Sequence, residues 1–218
     1  MLRKPDLRVI AGKFKGQKVL SPQSQLTHPM GSREKLALFN MLQPYLSGAR
    51  VLDIYAGSGA LGIEALSRGA SEVTFVEKSP QIARILSQNL QQIAGKGHLE
   101  APDDVLSSES RSSAGQKNAP NLAENLVLYQ ILNQDARDFE QNPAYQGYFD
   151  LIIADPPYDG LDIAEIAELP KLLRTEGILA LSFPFAQGVP ELPELELQTA
   201  RKYAAAGIAI YRKKSYNI

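Results

Sequence analysis

Four consecutive residues, Asp155-Pro156-Pro157-Tyr158, place an acid, two prolines and a phenol directly after the apolar run 151–154. The prolines fix φ and offer no N–H. Their turn is therefore rigid and presents the Asp155 side chain with the nearby carbonyls. Such acceptors suit an exocyclic amine on a flat heterocycle. Its lone pair is delocalised into the ring, which makes it a poor nucleophile. Acceptors that hold its N–H bonds turn that lone pair toward an electrophilic methyl group. Tyr158 can stack on the base, a contact worth about 1–3 kcal/mol in single-strand binders. Fixing the partners in line on binding supplies much of the rate. A transferred methyl needs no metal, so none is expected.

Upstream, Gly57-Ser58-Gly59-Ala60-Leu61-Gly62 reads G-x-G-x-x-G, and Glu77 follows Gly57 by 20 positions. That is the spacing of a dinucleotide fingerprint. Asp53, four residues before the loop, argues for a different ligand. A pyrophosphate seeks backbone N–H groups at a helix N-terminus, and a carboxylate beside it repels it. S-adenosylmethionine carries a sulfonium and an ammonium and no phosphate. Asp53 can attract those positive groups while the glycines let the backbone approach. Glu77 can accept from both ribose hydroxyls and disfavours a 2′-phosphate. Asp135, after a third apolar run, can accept from the adenine amino group. Each acid alone could simply cap the next helix. Together they outline a nucleoside site, with Tyr55 shaping its wall.

These residues need elements to hold them. From Arg50 the chain alternates between apolar runs and helical patterns. Strands are expected at 51–55, 73–77, 126–132, 148–154 and 177–183. Helices are expected at 60–68, 80–93, near Ala136, and at 162–173. An antiparallel pair, 194–203 with 207–213, closes the chain. Buried strands alternating with helices imply a parallel sheet covered on both faces, with ligands at the carboxyl ends of its strands. Before this, residues 7–12 and 16–20 read as a hairpin around Lys13-Phe14-Lys15. His28 to Gly31 reads as a turn. Ser32 is positioned to cap a helix over 33–46 that buries Leu36, Phe39, Leu42 and Leu46.

The 218 residues are 44% hydrophobic and 22% charged, enough for one sizeable core with a small appendage. The absence of Cys excludes disulfides, thiolate catalysis and Cys-based metal sites. No apolar leader or membrane-length run is evident, so a cytoplasmic, membrane-free monomer is expected. The net charge of −1 hides an asymmetry: nine Lys or Arg and two acids in residues 1–50 give +7, leaving −8 for the rest. A basic end on an acidic body points to a polyanion partner. Lys13, Lys15 and Lys18 could follow phosphates, while Phe14 packs or stacks. Residues 95–125 are Ser-rich and lack aromatics. They cannot bury enough apolar surface to order themselves, so a disordered surface insertion is expected there, with His98 solvated.

Residues 51–62 followed by Asp155-Pro156-Pro157-Tyr158 resemble the class I S-adenosylmethionine-dependent methyltransferases that act on amino groups. The whole chain is similar to a narrower group, the bacterial RsmD-like family, which methylates the N2 amine of a guanine in small-subunit (16S) ribosomal RNA. The resemblance is carried by Arg8-Val9-Ile10-Ala11-Gly12, Lys15-Gly16, His28-Pro29-Met30, Ala37-Leu38-Phe39-Asn40, residues 53–70, Glu77, Asn89-Leu90 and Asp155 to Tyr158. It implies a Rossmann-like α/β fold with a seven-stranded, mostly parallel sheet and one reversed strand near its edge. It implies a basic hairpin extension over 1–31 and a methyltransferase domain over 32–218, interrupted at 95–125. Cofactor contacts would fall at Asp53, Tyr55, Ala56, Gly57, Ser58, Gly59, Glu77, Lys78, Asp135 and Ala136. Base engagement would fall to Asp155, Pro156, Pro157 and Tyr158, and RNA contacts to Lys13, Phe14, Lys15 and Lys18. The implied substrate is structured ribosomal RNA or a small-subunit assembly intermediate. Where the family's first helix often carries an Arg-Glu pair, this chain has Lys35-Leu36.

Four alternatives stay open on sequence alone. A DNA adenine-N6 or cytosine-N4 methyltransferase shares Asp155 to Tyr158 but usually needs a target-recognition domain. A protein glutamine methyltransferase typically has Asn at position 155. An NAD-dependent oxidoreductase rests on the glycine loop and Glu77. A non-catalytic RNA-binding module rests on the basic end.

Overall fold

The computed structural model describes residues 7–21, 30–95, 127–158 and 166–215. Seven strands form one sheet in the order β3-β2-β1-β4-β5-β7-β6. They are β1 (Arg50–Ile54), β2 (Glu72–Val76), β3 (Leu128–Leu132), β4 (Phe149–Ala154), β5 (Leu173–Pro184), β6 (Leu195–Tyr203) and β7 (Ala206–Lys213). The first five are mutually parallel. β7 runs antiparallel to both β5 and β6, so it is the one reversed strand. This is the fold of class I methyltransferases, as the family resemblance implies.

Successive residues of the strands feed opposite faces. Val51, Val73, Phe75, Leu151, Ile153, Ile178, Ile208 and Ile210 join one buried cluster. Leu52, Ile54, Ile152, Ala154, Leu179, Leu181, Ala209 and Tyr211 join the other. The first face is covered by α1 (Ser32–Leu42), α2 (Ala60–Ser67) and α3 (Pro80–Ile93). The second is covered by the short helices Ala136–Glu140 and Leu169–Leu172 and by Tyr145. Burial on both faces explains why these strands read as continuous apolar runs.

α3 starts as its sequence dictates, with Pro80 in the first turn and the Ser79 hydroxyl accepting from the Ile82 N–H. α1 departs from expectation in three ways. Gly31, not Ser32, is its N-cap, and no side chain bonds the first turn. It stops at Leu42, and a 3-10 turn over Gln43–Tyr45 follows, because Pro44 cannot continue the ladder. Its buried stripe is Lys35, Leu38, Phe39 and Leu42, while Leu36 is exposed. The helix is turned by one position because the Lys35 ammonium has buried partners, described below. β5 begins four residues earlier than the sequence suggests. Its opening residues 174–176 are exposed, Glu176 is left-handed (φ 62°), and the pairing with β4 shifts between Phe149 and Leu151. Of the helix expected at 162–173, residues 162–165 lie outside the described residues, 166–168 form a turn, only Leu169–Leu172 are helical, and Leu173 already opens β5. The expectations for His28, His98 and nearly all of 95–125 also fall outside the described residues.

The N-terminal segment folds back on itself, but among the described residues its regular pairing is limited to the Arg8↔Lys18 bridge, flanked by bonds from Val9 to Gln17 and from Val19 to Leu7. Val9 and Val19 enter the same core cluster as α1 and α2. The turn docks on the end of α2: the Lys13 N–H donates to the Ser67 carbonyl and the Phe14 N–H to the Ser67 hydroxyl. At Gly12 (φ +82°) a Cβ would sit 1.8 Å from the Ser67 carbonyl oxygen, so only glycine allows this approach.

Beneath the turn lies a buried ionic cluster. Glu64, on α2, is fully buried, and Lys35 is 1% exposed. The Glu64 carboxylate accepts from the Ile10 N–H (2.7 Å), the Ala11 N–H (3.0 Å) and Arg68 Nε (2.8 Å), with Lys35 Nζ at 3.4 Å. Lys35 Nζ also donates to the Arg8 carbonyl at 2.8 Å. Burial lowers the Lys35 pKa, and Glu64 counters that effect. Lys35 therefore does not belong to the exposed basic surface that the charge count suggested. Its charge is spent inside the fold.

Candidate active site

The sheet order reverses between β1 and β4, the place where open α/β sheets bind ligands. Four of the acids singled out from sequence gather at this carboxyl edge. Asp53 is the penultimate residue of β1, and Glu77, Asp135 and Asp155 follow β2, β3 and β4.

Asp53 is 1% exposed, and its Oδ2 accepts from the Gly62 N–H of α2 at 2.8 Å. Its pKa is pushed well above the usual carboxylate range by burial, against the Gly62 bond, and the charges of Asp155 and Glu77 push it further. These carboxylates therefore share one site, and a cation placed among them would relieve their repulsion. Glu77 binds backbone on both sides: Oε2 accepts from the Gly57 N–H (2.9 Å) and Oε1 from the Ser79 N–H (2.8 Å). Asp135 takes the role of helix cap, accepting from the Arg137 N–H at 3.0 Å. Lys78 is exposed beside Glu77, and Ala136 is buried at the start of the Asp135 helix.

The glycine loop divides its work. At Gly59 a Cβ would lie 2.2 Å from Leu86 Cδ1 of α3, and at Gly62 2.2 Å from Phe75 Cε1 of β2, so the first lets the loop pack on a neighbouring helix and the second lets α2 pack on the sheet. Among the described residues, Gly57 (φ +55°) has only the Tyr55 carbonyl, at 4.0 Å, within reach of a Cβ, which leaves its outer side to a ligand. Tyr55 is itself left-handed (φ 70°), a strained conformation of the kind that clusters at functional sites. The Ala56 N–H holds the loop to the Val76 carbonyl. Carboxylates occupy two amides of this region, Gly57 by Glu77 and Gly62 by Asp53. A dinucleotide loop needs such donors for pyrophosphate, so this arrangement disfavours NAD. Acids with an open glycine backbone suit a ligand carrying hydroxyls and positive charge, and the site thus fits S-adenosylmethionine.

Asp155 is half-buried by its neighbours, and the desolvation this brings raises its pKa to about 6, with a hydrogen bond from Ser182 working against the rise. Tyr158 is half-buried, and its hydroxyl lies 2.5 Å from Ser182 Oγ. Burial raises the phenol pKa too. The Glu34 charge also reaches Tyr158, which puts α1 beside the turn. On the hairpin, Lys13, Lys15 and Lys18 are exposed, whereas Phe14 packs partly on the core with Lys13 Nζ 5.0 Å from its ring centre.

The contacts of three residues escaped sequence reasoning. Ser182 sits in an otherwise apolar stretch of β5 and looks like a gap in that pattern. Asn133 donates to the Glu77 and Lys78 carbonyls and shapes the loop after β2. Asn89, fully buried on α3, exchanges bonds with Leu20 and donates to the Ser58 carbonyl, so it ties the hairpin exit to the glycine loop. Its signals were its place in the family resemblance, at Asn89-Leu90, and its polarity on the buried stripe of α3.

Among known families, the chain matches the one described as "Conserved hypothetical protein 95", over residues 7–115 and 105–212. It is 36% identical over 155 residues to "Ribosomal RNA small subunit methyltransferase D" of Haemophilus influenzae, covering 71% of this chain and 65% of that protein. It is 27% identical over 212 residues to "Putative rRNA methyltransferase YlbH" of Bacillus subtilis, covering 95% of this chain and all of that one. Among solved structures it resembles "Putative methyltransferase yhhF" of Escherichia coli, with a TM-score of 0.70, 26% identity, and 96% and 98% of the two chains covered.

Proposed function

The chain belongs to the family described as "Conserved hypothetical protein 95", the RsmD-like family, and from that premise we propose that it transfers the methyl group of S-adenosylmethionine to the N2 amine of a guanine in small-subunit (16S) ribosomal RNA. The observation that carries this reading is the meeting of Asp155 and Tyr158 with Asp53 and Glu77 at the switch point of the sheet. Asp53, Glu77 and Asp135, with the backbone at Tyr55, Ala56, Gly57, Ser58, Gly59, Lys78 and Ala136, would hold the cofactor. When bound, S-adenosylmethionine supplies an electrophilic methyl group on a sulfonium.

The chain's own part is orientation. Asp155 accepts one N–H of the target amine, and the rigid Pro156-Pro157 turn offers carbonyls for the other. Tyr158 supplies a face for the base. Lys13, Lys15 and Lys18 contact phosphates, and Phe14 props their loop. Phosphate contacts give affinity without sequence choice, so selection of one guanine falls to RNA shape and base extrusion. A structured RNA, or an assembly intermediate containing it, is the corresponding substrate, and the cytoplasm the corresponding location.

The test is transfer of labelled methyl to ribosomal RNA, partly assembled small subunits and duplex DNA in parallel, with the product nucleoside identified. N2-methylguanosine from the small-subunit substrates is the expected result. N6-methyladenine or N4-methylcytosine in DNA would overturn the substrate while keeping the chemistry.

Two further outcomes are expected. Glu77→Ala should weaken S-adenosylmethionine binding about tenfold or more, since a hydrogen bond to a charged group is worth about 1.5–3 kcal/mol. Calorimetry that finds equal affinity would remove Glu77 from the ribose. Replacing Lys13, Lys15 and Lys18 together by Ala should weaken RNA binding and lower the slope of log K against log salt by about 2–3. An unchanged slope would make the hairpin a plain solvated surface.

A further inference from the structure

We propose that Ser182 is a positioning residue for the reaction: its hydroxyl links Tyr158 to Asp155 in one hydrogen-bonded chain that fixes the acceptor oxygen and the ring presented to the target base. The inference rests on the methyltransferase reading above. It concerns a residue on β5 that no sequence motif marks.

Ser182 is 3% exposed, and its neighbours Ile178, Leu179, Ala180, Leu181 and Phe183 are all buried and apolar. A hydroxyl in such surroundings is costly unless it is bonded. β5 pairs with β4 so that Leu181 lies opposite Ala154, which sets Ser182 alongside Asp155. Ser182 Oγ is 2.5 Å from the Tyr158 hydroxyl oxygen, and the same hydroxyl is the neighbour whose hydrogen bonding holds the Asp155 pKa down.

The direction of the chain follows from donor chemistry. An ionised carboxylate only accepts. The Ser182 O–H therefore donates to Asp155, and its lone pairs accept from the Tyr158 O–H. One Asp155 oxygen is thereby committed to Ser182, and the other is left for a substrate N–H.

The chain also answers a problem created by the two prolines. Pro156 and Pro157 have no N–H, so their backbone cannot donate to the sheet. Anchorage of the turn falls to the side chains at its ends, Asp155 and Tyr158, and both meet at Ser182. A ring held only by stacking could tilt, whereas a ring whose hydroxyl is tied to the sheet keeps one plane.

The test compares Ser182→Ala, which deletes the hydroxyl with little change of volume, with Ser182→Thr, which retains it. Two readouts are needed. The first requires no ligand: carbon-13 NMR titration of the Asp155 carboxyl. Asp155 is faced by Asp53 on β1 and by Tyr158, which in turn feels Glu34 on α1. Those groups are the same in every variant. Ser182→Ala should move the Asp155 midpoint upward, and Ser182→Thr should restore it. An unmoved midpoint overturns the proposal whatever the enzyme's substrate.

The second readout is steady-state transfer. Ser182→Ala should lower kcat about tenfold or more, the scale of one hydrogen bond to a charged group, with S-adenosylmethionine affinity and KM for RNA within about twofold. Tyr158→Phe added to Ser182→Ala should cost less than Tyr158→Phe alone, because the phenol has already lost its partner. Unchanged kcat, full additivity, or a loss not rescued by threonine would each overturn the positioning role. A wild-type protein that binds S-adenosylmethionine yet transfers nothing to RNA would instead overturn the functional reading, and with it the role of Ser182 in catalysis.

Discussion

Asp155→Ala should lower methyl transfer by about 10³-fold, within the range that a positioned proton acceptor supplies, and should make the protein more stable at pH 8. The first effect follows from geometry: the variant has no carboxylate at the edge of β4 to hold the amine. S-adenosylmethionine affinity should stay within about threefold, because Asp53 and Glu77 are untouched. Loss of transfer and of cofactor affinity together would mean that Asp155 shapes the cofactor pocket instead of the amine site.

The second effect follows from burial, which raises the Asp155 pKa from 3.8 to about 6. Below about pH 4 the folded and unfolded chains both carry the proton, and the group contributes nothing. As pH rises from about 4 to 6 the unfolded chain ionises first, so folding loses stability. Above about pH 6 the penalty is complete, on the order of 3 kcal/mol for two units. Alanine removes this penalty and gives up the Ser182 hydrogen bond, worth about 1 kcal/mol. The variant should thus gain about 2 kcal/mol over wild type at pH 8 and lose about 1 kcal/mol at pH 4. Urea unfolding at the two pH values measures the crossing. A difference of the same sign and size at both would mean that Asp155 titrates normally. The wild-type rate should correspondingly fall as pH drops below about 6, because a protonated Asp155 offers a donor where the amine needs an acceptor.

Glu64→Gln is expected to destabilise the fold by about 3–5 kcal/mol, the cost of leaving buried charges without their counterion. The substitution keeps the shape but leaves Lys35 and Arg68 buried opposite a neutral amide. It also weakens the acceptors for the Ile10 and Ala11 N–H groups. Lys35→Met should cost less, since Glu64 keeps Arg68 and both amides. Chemical unfolding gives the ranking, and amide exchange at Ile10 and Ala11 shows where it acts. A loss under about 1 kcal/mol for Glu64→Gln would mean that the cluster is hydrated and contributes little, as exposed pairs do.

Much of the architecture was legible because strands buried on both faces betray themselves as apolar runs, and because Pro80, the glycine loop and the Pro156-Pro157 turn punctuate the chain. The direction and place of β7 followed from the family resemblance, not from periodicity. What sequence reasoning lost were side chains whose polarity hides their location. Lys35 was counted with the surface charges because a lysine beside Leu36 in a helix ordinarily faces water. Only the arrival of Glu64 from α2 makes the other orientation favourable. Ser182 was silent, and the contacts of Asn89 were unforeseen, for the same reason: each is a single polar residue on an apolar face, and its meaning depends on partners 24 and 31 positions away. Asp135 caps a helix, the ordinary use of an acid after a strand, and that bond alone neither makes nor removes the adenine contact proposed for it.

The three glycines of the loop also bear on how such patterns should be compared between proteins. Two of them, Gly59 and Gly62, measure packing gaps, the first between the loop and Leu86 of α3 and the second between α2 and Phe75 of the strand beneath it. Every sheet that packs its helices this closely must keep such gaps, whatever it binds. The third, Gly57, is the one that faces outward. The pattern is therefore a yardstick of architecture with a single chemical mark on it. Variants at Gly59 or Gly62 should behave as folding defects, and variants at Gly57 as ligand defects in a sound fold. The identity of the small molecule is written mainly in the carboxylates at the strand ends, and a search keyed to the glycines alone will group proteins by skeleton instead of by chemistry.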